Sequence, residues 1–432
     1  MSARSLALRA LVALHRDRGA RLRSELGGRE LDGRDAAFAF ELAHGVTRRE
    51  RLLDHVLLGV AHRGLPKAPA LRVALRRGVY QLLFVPGMPA HAAVHETVEL
   101  VRQNKGFANA VLRKLTGLIR DRAADASRPR HELPLSAERS FELPSPLPEG
   151  AVDRLAVVHS LPDWLARRVH DQHGDAGLAQ LAASASATPA VHLRARGSVD
   201  ELAARLRDEG VGIEPAEGGA LLRWVSGASP FATTSFRDGA FVVQDPTAVE
   251  AAAALPCQTG DTVIDLCAAP GTKTTYLADR VGAVGRVYAY DPDERRRQRI
   301  RENVVRLRQE AVVDVVEDAA ALEVADGVLA DVPCSNTGVL GRRVEARGRI
   351  TPEVFDELPK LQREILDRAV LLTRPGGHVV YSTCSVDREE NEAVVAAALA
   401  AHEGLELCSQ QLSLPLAGKR DGGFFALLRR GG

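Results

Sequence analysis

Cysteine is scarce in this chain. The 432 residues hold five, at positions 257, 267, 334, 384 and 408, and no two form a Cys-x-x-C pair. An odd, dispersed set excludes a disulfide scaffold and a structural zinc site, and it suits a reducing cytoplasm. Long apolar runs are missing too: none reaches the roughly 18–20 residues of a membrane span. The Arg-rich first thirty residues lack the apolar block of a signal peptide. No internal repeat or low-complexity tract is visible. Neither nucleotide fingerprint is present: no Gly stands directly before a Lys-Ser/Thr pair, and no G-x-G-x-x-G follows a strand-like run. His91 and His95 lie four apart, but the order His-Glu-x-x-His of a zinc helix is absent, so no metal is expected.

What remains is an ordinary globular composition, 45% hydrophobic and 26% charged, on a chain too long for one compact core. The net charge of +1 conceals an asymmetry. Residues 1–130 carry 24 Lys+Arg against 12 Asp+Glu, whereas residues 131–432 carry 33 against 44. The first part is therefore an electrostatic candidate for nucleic acid.

Periodicity divides the chain. Residues 1–124 show helical spacing with almost no alternation, as in Leu6, Ala10 and Leu14 or Val73, Val79 and Leu82, which predicts an all-α bundle. Residues 125–150 carry Pro129, Pro134, Pro144, Pro146 and Pro148 and read as an extended linker. Residues 151–235 read as a small α+β unit. Residues 236–432 alternate strands with helices, from Phe241–Gln244 through His378–Ser382 to a last strand at Gly423–Leu428. That pattern predicts a mostly parallel sheet covered on both faces. Asp387 and Glu390 are spaced as a capping box for a helix. The arginine run Asp293–Arg301 reads as the polar face of an edge helix, with an RNA contact as the alternative.

Open α/β sheets bind ligands outside the carboxyl ends of their strands. The first strand, Thr262–Leu266, runs into Cys267, Ala268, Ala269, Pro270, Gly271, Thr272 and Lys273 and then a helix. Small residues let the backbone approach a ligand, and a helix N-terminus offers N–H groups to an anion. The next strand ends at Asp291, suited to ribose hydroxyls, and the third at Asp318, suited to an adenine amino group. A nucleoside with an anionic end and no pyrophosphate fits this set, and S-adenosyl-L-methionine is such a molecule.

Cys334, behind Asp331-Val-Pro, and Cys384, behind Ser382-Thr, follow successive strands and would share that rim. A thiolate that adds to C6 of a pyrimidine converts C5 into an enamine carbon able to accept a methyl group. Asp331 near N3 would support the adduct. A single such cysteine is more often a packed small residue; two at neighbouring strand ends are not.

Those motifs carry a resemblance. Val243-Gln-Asp-Pro246, Asp265-Leu-Cys-Ala-Ala-Pro-Gly271, Asp331-Val-Pro-Cys-Ser-Asn-Thr-Gly338, Tyr381-Ser-Thr-Cys-Ser385, Arg388-Glu-Glu-Asn-Glu392 and Asp421-Gly-Gly-Phe-Phe425 resemble the Nol1/Nop2/Sun (Fmu) family of RNA cytosine-5 methyltransferases. Pro89–Leu100 followed by Lys105–Arg113 resembles the RNA-binding fold of the antitermination factor NusB. The resemblance implies a NusB-like bundle joined to a Rossmann-like methyltransferase. It implies Cys384 as nucleophile, Cys334 as the thiol assisting release, and a cofactor set of Cys267 to Lys273, Asp291, Asp318 and Asp331. The expected partner is small-subunit (16S) ribosomal RNA, with tRNA as the rival, bound by a monomer. Lys105, Arg113, Lys114, Arg342 and Arg343 are the candidate RNA contacts. Two departures stand out: Thr272 replaces a usual second Gly, and Val339–Arg347 lacks a His-Pro-Asp segment.

Overall fold

The computed structural model describes residues 2–432 apart from 18, 28–32, 62, 218 and 228. The chain forms two compact units. Residues 1–186 with 340–350 make the first, and residues 187–339 with 351–432 make the second.

The first unit is built on helices α1 (Ala3–Arg16), α2 (Leu22–Leu26), α3 (Gly33–Arg48), α4 (Glu50–Leu58), α5 (Pro69–Phe84), α6 (Ala90–Leu100) and α7 (Lys105–Thr116). Local signals set their starts. Ser2 caps α1 by accepting from the Ser5 N–H, and α5 opens with Pro69, whose missing N–H is harmless in a first turn. The expected faces are buried: Ala10 and Leu14 meet Leu42, Val46, Val73, Val79 and Leu82 in one core, and Leu6 packs with Ala3 and Ala39 in a smaller cluster. Residues 125–150 are not an extended linker. Strands β1 (Ile119–Arg120), β2 (Glu132–Pro134) and β3 (Ser140–Glu142) form a small antiparallel sheet. Leu133, Phe141, Leu143 and Leu147 from this stretch join the bundle core. The prolines are confined to strand ends and turns, where no ladder N–H is needed. Helices α8 (Ala151–Val158) and α9 (Asp163–Ser186) also belong to this unit, so the stretch 151–235 is divided between units.

The second unit opens with β4 (Val191–Ala195), α10 (Val199–Asp208), β5 (Gly212–Pro215), β6 (Leu221–Ser226), α11 (Thr234–Arg237) and β7 (Phe241–Val243). The strand β7, expected in the large sheet, instead pairs with β4 in a four-stranded sheet. Then follow α12 (Pro246–Ala253), β8 (Thr262–Asp265), α13 (Thr272–Val281), β9 (Arg286–Tyr290), α14 (Glu294–Arg306), β10 (Val313–Val316) and β11 (Ala325–Asp331). The chain ends with α15 (Val354–Leu371), β12 (Thr373–Thr383), α16 (Glu392–Ala401), β13 (Leu405–Ser413) and β14 (Gly423–Arg430). The seven-stranded sheet has the order β10-β9-β8-β11-β12-β14-β13. The first five strands are parallel, and β14 and β13 close one edge antiparallel. Strand order reverses between β8 and β11, which opens a crevice at their carboxyl ends.

One excursion was not expected. Residues 340–350, placed by sequence in the catalytic part, belong to the first unit. Val344 sits in that unit's core, and the buried Arg347 guanidinium donates to the carbonyls of Arg48, His159, Ser160, Ala185 and Leu340. No helix of the described residues is long and apolar enough to cross a membrane.

Candidate active site

Five strands deliver their ends to one rim. Asp265, the last residue of β8, is wholly buried. Its Oδ2 accepts from Thr274 Oγ1 at 2.7 Å, while Oδ1 has no hydrogen-bond partner among the described residues. Burial drives this carboxyl up to about 7 against the opposing Thr274 bond. The loop Cys267–Lys273 then turns into α13. Gly271 sits at φ 98°, and a Cβ there would crowd Ile300 at 3.2 Å. Thr272 is the first helical residue, so its replacement of a glycine meets no left-handed requirement. The N-cap of α13, Gly271, has no side chain to cap the first turn, which leaves N–H groups there for an anion. Burial, then the charge of Asp265, pushes the Cys267 thiol upward, which makes it inert as a nucleophile.

Asp291, just beyond β9, is also fully buried. Its Oδ1 accepts from the Asp293 N–H at 3.1 Å, and Oδ2 makes no hydrogen bond among the described residues although Arg296 Nη2 lies 3.2 Å away. A buried carboxylate oxygen without a donor is costly unless a ligand hydroxyl completes it. Asp318, beyond β10, is exposed and caps a short turn by accepting from the Ala320 N–H at 2.8 Å. The orphaned oxygens of Asp265 and Asp291, the uncapped helix and the glycine-bounded loop fit a nucleoside with an amino acid end.

Asp331 closes β11. Its Oδ2 accepts from Lys273 Nζ at 2.6 Å and its Oδ1 from Ser382 Oγ at 2.8 Å. Burial alone would weaken the Lys273 ammonium, but the Asp331 charge and bond outweigh it, so Lys273 is held above its ordinary value. Next to this pair lie the two thiols. Cys334 follows β11 and Cys384 follows β12, and their Sγ atoms are 2.9 Å apart. The hydrogen bond to Cys384, then burial, pushes the Cys334 thiol well up. Cys384 Sγ also lies 3.4 Å from Asn336 Oδ1, and Asn336, at φ 67°, donates its amide to the Cys334 carbonyl at 2.7 Å.

The two thiol loops are fastened together from below. Glu390 does not cap a helix, as its spacing suggested; α16 begins at Glu392 behind Asn391. Its buried carboxylate accepts from the Ser335 N–H at 2.8 Å, from Gln362 Nε2 at 3.0 Å, and from the hydroxyls of Ser335 and Ser385. The Gly338 N–H donates to the Cys384 carbonyl at 3.0 Å, and Gly338 packs so closely on Gly422 that a Cβ would approach its backbone to 2.6 Å. Sequence reasoning missed Asp265, Asn336, Ser382 and Glu390. One signal for Glu390 was available: a serine follows each of the two cysteines, and both serines donate to it.

The candidate RNA contacts are dispersed. Lys105, Arg113 and Lys114 are exposed on α7, where Lys105 pairs with Glu99 at 3.1 Å and Arg113 donates to Asn109 at 3.1 Å. Arg342 and Arg343 are exposed on the excursion that belongs to the first unit.

A mostly parallel sheet, a switch-point crevice, and a loop leading into an uncapped helix between buried carboxylates define a Rossmann-like, S-adenosylmethionine-dependent methyltransferase. Sequence comparison agrees and narrows the class. The family model for the 16S rRNA methyltransferase RsmB/F matches residues 252–422, and the model for the NusB family matches residues 1–117. A putative methyltransferase of Mycobacterium tuberculosis is 37% identical over 417 residues, spanning 92% of this chain and 86% of that one. Ribosomal RNA small subunit methyltransferase B of Escherichia coli is 31% identical over 421 residues, spanning 92% and 91%. Among solved structures, PH0851 superposes with a TM-score of 0.76 over 98% of both chains at 24% identity. NSun6 from Pyrococcus horikoshii, solved with SFG, superposes with a TM-score of 0.57 over 63% of this chain at 20% identity. The chain belongs to the RsmB/F family of rRNA methyltransferases, with a NusB region at its N-terminal end.

Proposed function

We propose that the chain methylates C5 of a cytosine in small-subunit ribosomal RNA through a covalent bond between Cys384 and C6 of the base. The observation that carries this reading is the pair of thiols 2.9 Å apart at the ends of adjacent parallel strands. The loop Cys267–Lys273 and Asp291 would hold S-adenosylmethionine by its carboxylate and ribose, with Asp318 at the adenine amino group and Asp265 at the amino group. Once bound, that cofactor supplies an electrophilic methyl group on a sulfonium.

The remaining work falls to the protein's own groups. Cys384 Sγ adds to C6, which requires the base to be turned out of its stack. Asp331, held by Lys273 and Ser382, would relay a proton from Lys273 to ring N3, so that electron density moves to C5. Cys334, whose thiol is pushed up, would keep its proton and direct it at Cys384 Sγ, 2.9 Å away. It thereby stabilises the sulfur as an anion on attack. Once C5 carries the methyl group, the C5 proton leaves to solvent water and its electron pair re-forms the C5–C6 double bond. The Cys384–C6 bond breaks with its pair returning to sulfur beside the Cys334 thiol. Glu390 and Asn336 position the two loops.

The test uses the two cysteine variants. Cys384→Ala should abolish methyl transfer to RNA while leaving cofactor affinity intact. Cys334→Ala should accumulate a protein–RNA adduct that survives denaturation. Transfer at the wild-type rate by Cys384→Ala sinks the mechanism.

A further inference from the structure

The methyltransferase site uses little of α14, although this helix carries six arginines between Glu294 and Arg306. Arg297 and Arg301 are engaged by Glu294 and Glu317. Arg306 donates to the carbonyls of Phe236 and Phe241, and its guanidinium lies 4.0 Å from the Phe236 ring centre. Arg295 and Arg299 are exposed, and among the described residues their guanidinium groups have no partner. They lie one helical turn apart, beside the strip of α14 that carries Gln298 and Val305.

That strip forms one wall of an open cavity of about 570 Å³. The opposite wall is the turn before α11 and α11 itself, with Phe231, Phe236 and Arg237. Phe231 is 50% exposed and is held edge-on to Phe236, with centroids 5.1 Å apart and planes at 88°. Arg306 in turn fixes Phe236. The exposed ring is therefore a braced platform. Three of the lining side chains are arginines and one, Glu302, is acidic, so the cavity favours an anion with an aromatic body over an apolar segment of a protein.

We propose that this cavity is a single-stranded RNA subsite, in which one unstacked base lies on Phe231 and the adjoining phosphates meet Arg295, Arg299 and Arg237. Stacking platforms flanked by cations are the general means of holding single-stranded nucleic acid. The inference rests on the reading of the chain as an RNA methyltransferase and adds a second anchoring point for its substrate within the catalytic unit.

Fluorescence anisotropy with a short labelled single-stranded RNA of mixed sequence, and with a duplex RNA of the same length, tests it on the full chain. Phe231→Ala should weaken single-strand binding about tenfold, Phe231→Trp should retain it, and duplex binding should change little. The pair R295E and R299E should weaken binding most at low salt and flatten the salt dependence by a slope of about one to two. Calorimetry should show unchanged S-adenosylmethionine affinity in every variant, which reports that each is folded. A folded Phe231→Ala protein that binds single-stranded RNA as tightly as wild type overturns the subsite. The proposed function fails separately, by absence of methyl transfer to RNA from the unaltered protein, and the anisotropy readout does not depend on that result.

Discussion

At the scale of single residues, two buried carboxylates show what the fold concedes to its site. Asp265 carries a folded value of about 7 because burial outweighs its one bond to Thr274. In an unfolded chain the value is about 3.9. A raised folded value means the native state binds the proton more tightly. Its contribution to stability is therefore full below about pH 4 and is lost as pH rises to about 7, by up to about 4 kcal/mol. Asp265→Asn should remove that slope. In urea denaturation the variant should gain on wild type between pH 5 and pH 8, while its cofactor affinity falls. An unchanged pH slope would show that Asp265 is not the strained group. Glu390 is the opposite case, a carboxylate satisfied by four donors. Glu390→Gln turns an amide N–H₂ toward some of those donors and should cost about 3 kcal/mol. Because both thiol loops hang on it, kcat for methyl transfer should drop at least about tenfold while KM for the cofactor stays. Chemical denaturation and steady-state kinetics read the two effects separately.

At the scale of elements, what could be read in advance depended on whether a segment's own pattern decided its fate. The buried strands Thr262–Asp265 and Ala325–Asp331 have no polar face, so their apolar runs were visible, and the motifs that follow them were visible with them. The edge strand Leu405–Ser413 buries little beyond its first residue, so no apolar alternation marked it. Residues 125–150 are rich in proline, which reads as a linker until Phe141 and Leu143 are seen in the bundle core. The burial of Arg347 was beyond sequence reasoning, because its partners are five carbonyls scattered over three hundred residues and carry no side-chain signature. Burial, then the charges of Arg48 and Arg49, lowers this guanidinium to about 9. Arg347→Ala leaves those carbonyls without donors and should cost the first unit about 3 kcal/mol. Hydrogen exchange should quicken around His159 and Ser160 and in residues 340–350 before it does in β8 or β11. Uniform exchange across both units would contradict the local role assigned to this side chain.

At the scale of the whole molecule, charge and chemistry are separated along the chain. The excess of cations lies in residues 1–130, and the thiols and carboxylates of the candidate site lie far downstream. Helix α7 shows how the basic part is presented. Ala108, Val111, Leu112 and Leu115 face the core, which turns Lys105, Asn109 and Arg113 into a stripe at spacings of four on the outer face, with Lys114 beside it. Exposed pairs such as Lys105–Glu99 are worth little and dissociate readily in favour of a phosphate. Phosphate contacts add affinity without regard to sequence, and each released counterion steepens the salt dependence. Replacing Lys105, Arg113 and Lys114 by alanine should therefore weaken binding to structured ribosomal RNA by a similar factor for every sequence tried. The slope of log affinity against log salt should fall by about 2, since each phosphate contact contributes roughly 0.7 to 0.9. The rate of methyl transfer at saturating RNA should be unchanged, because none of the three residues belongs to the site around Cys384. A loss confined to that saturated rate, with the salt slope intact, would place the function of α7 elsewhere than in holding phosphate.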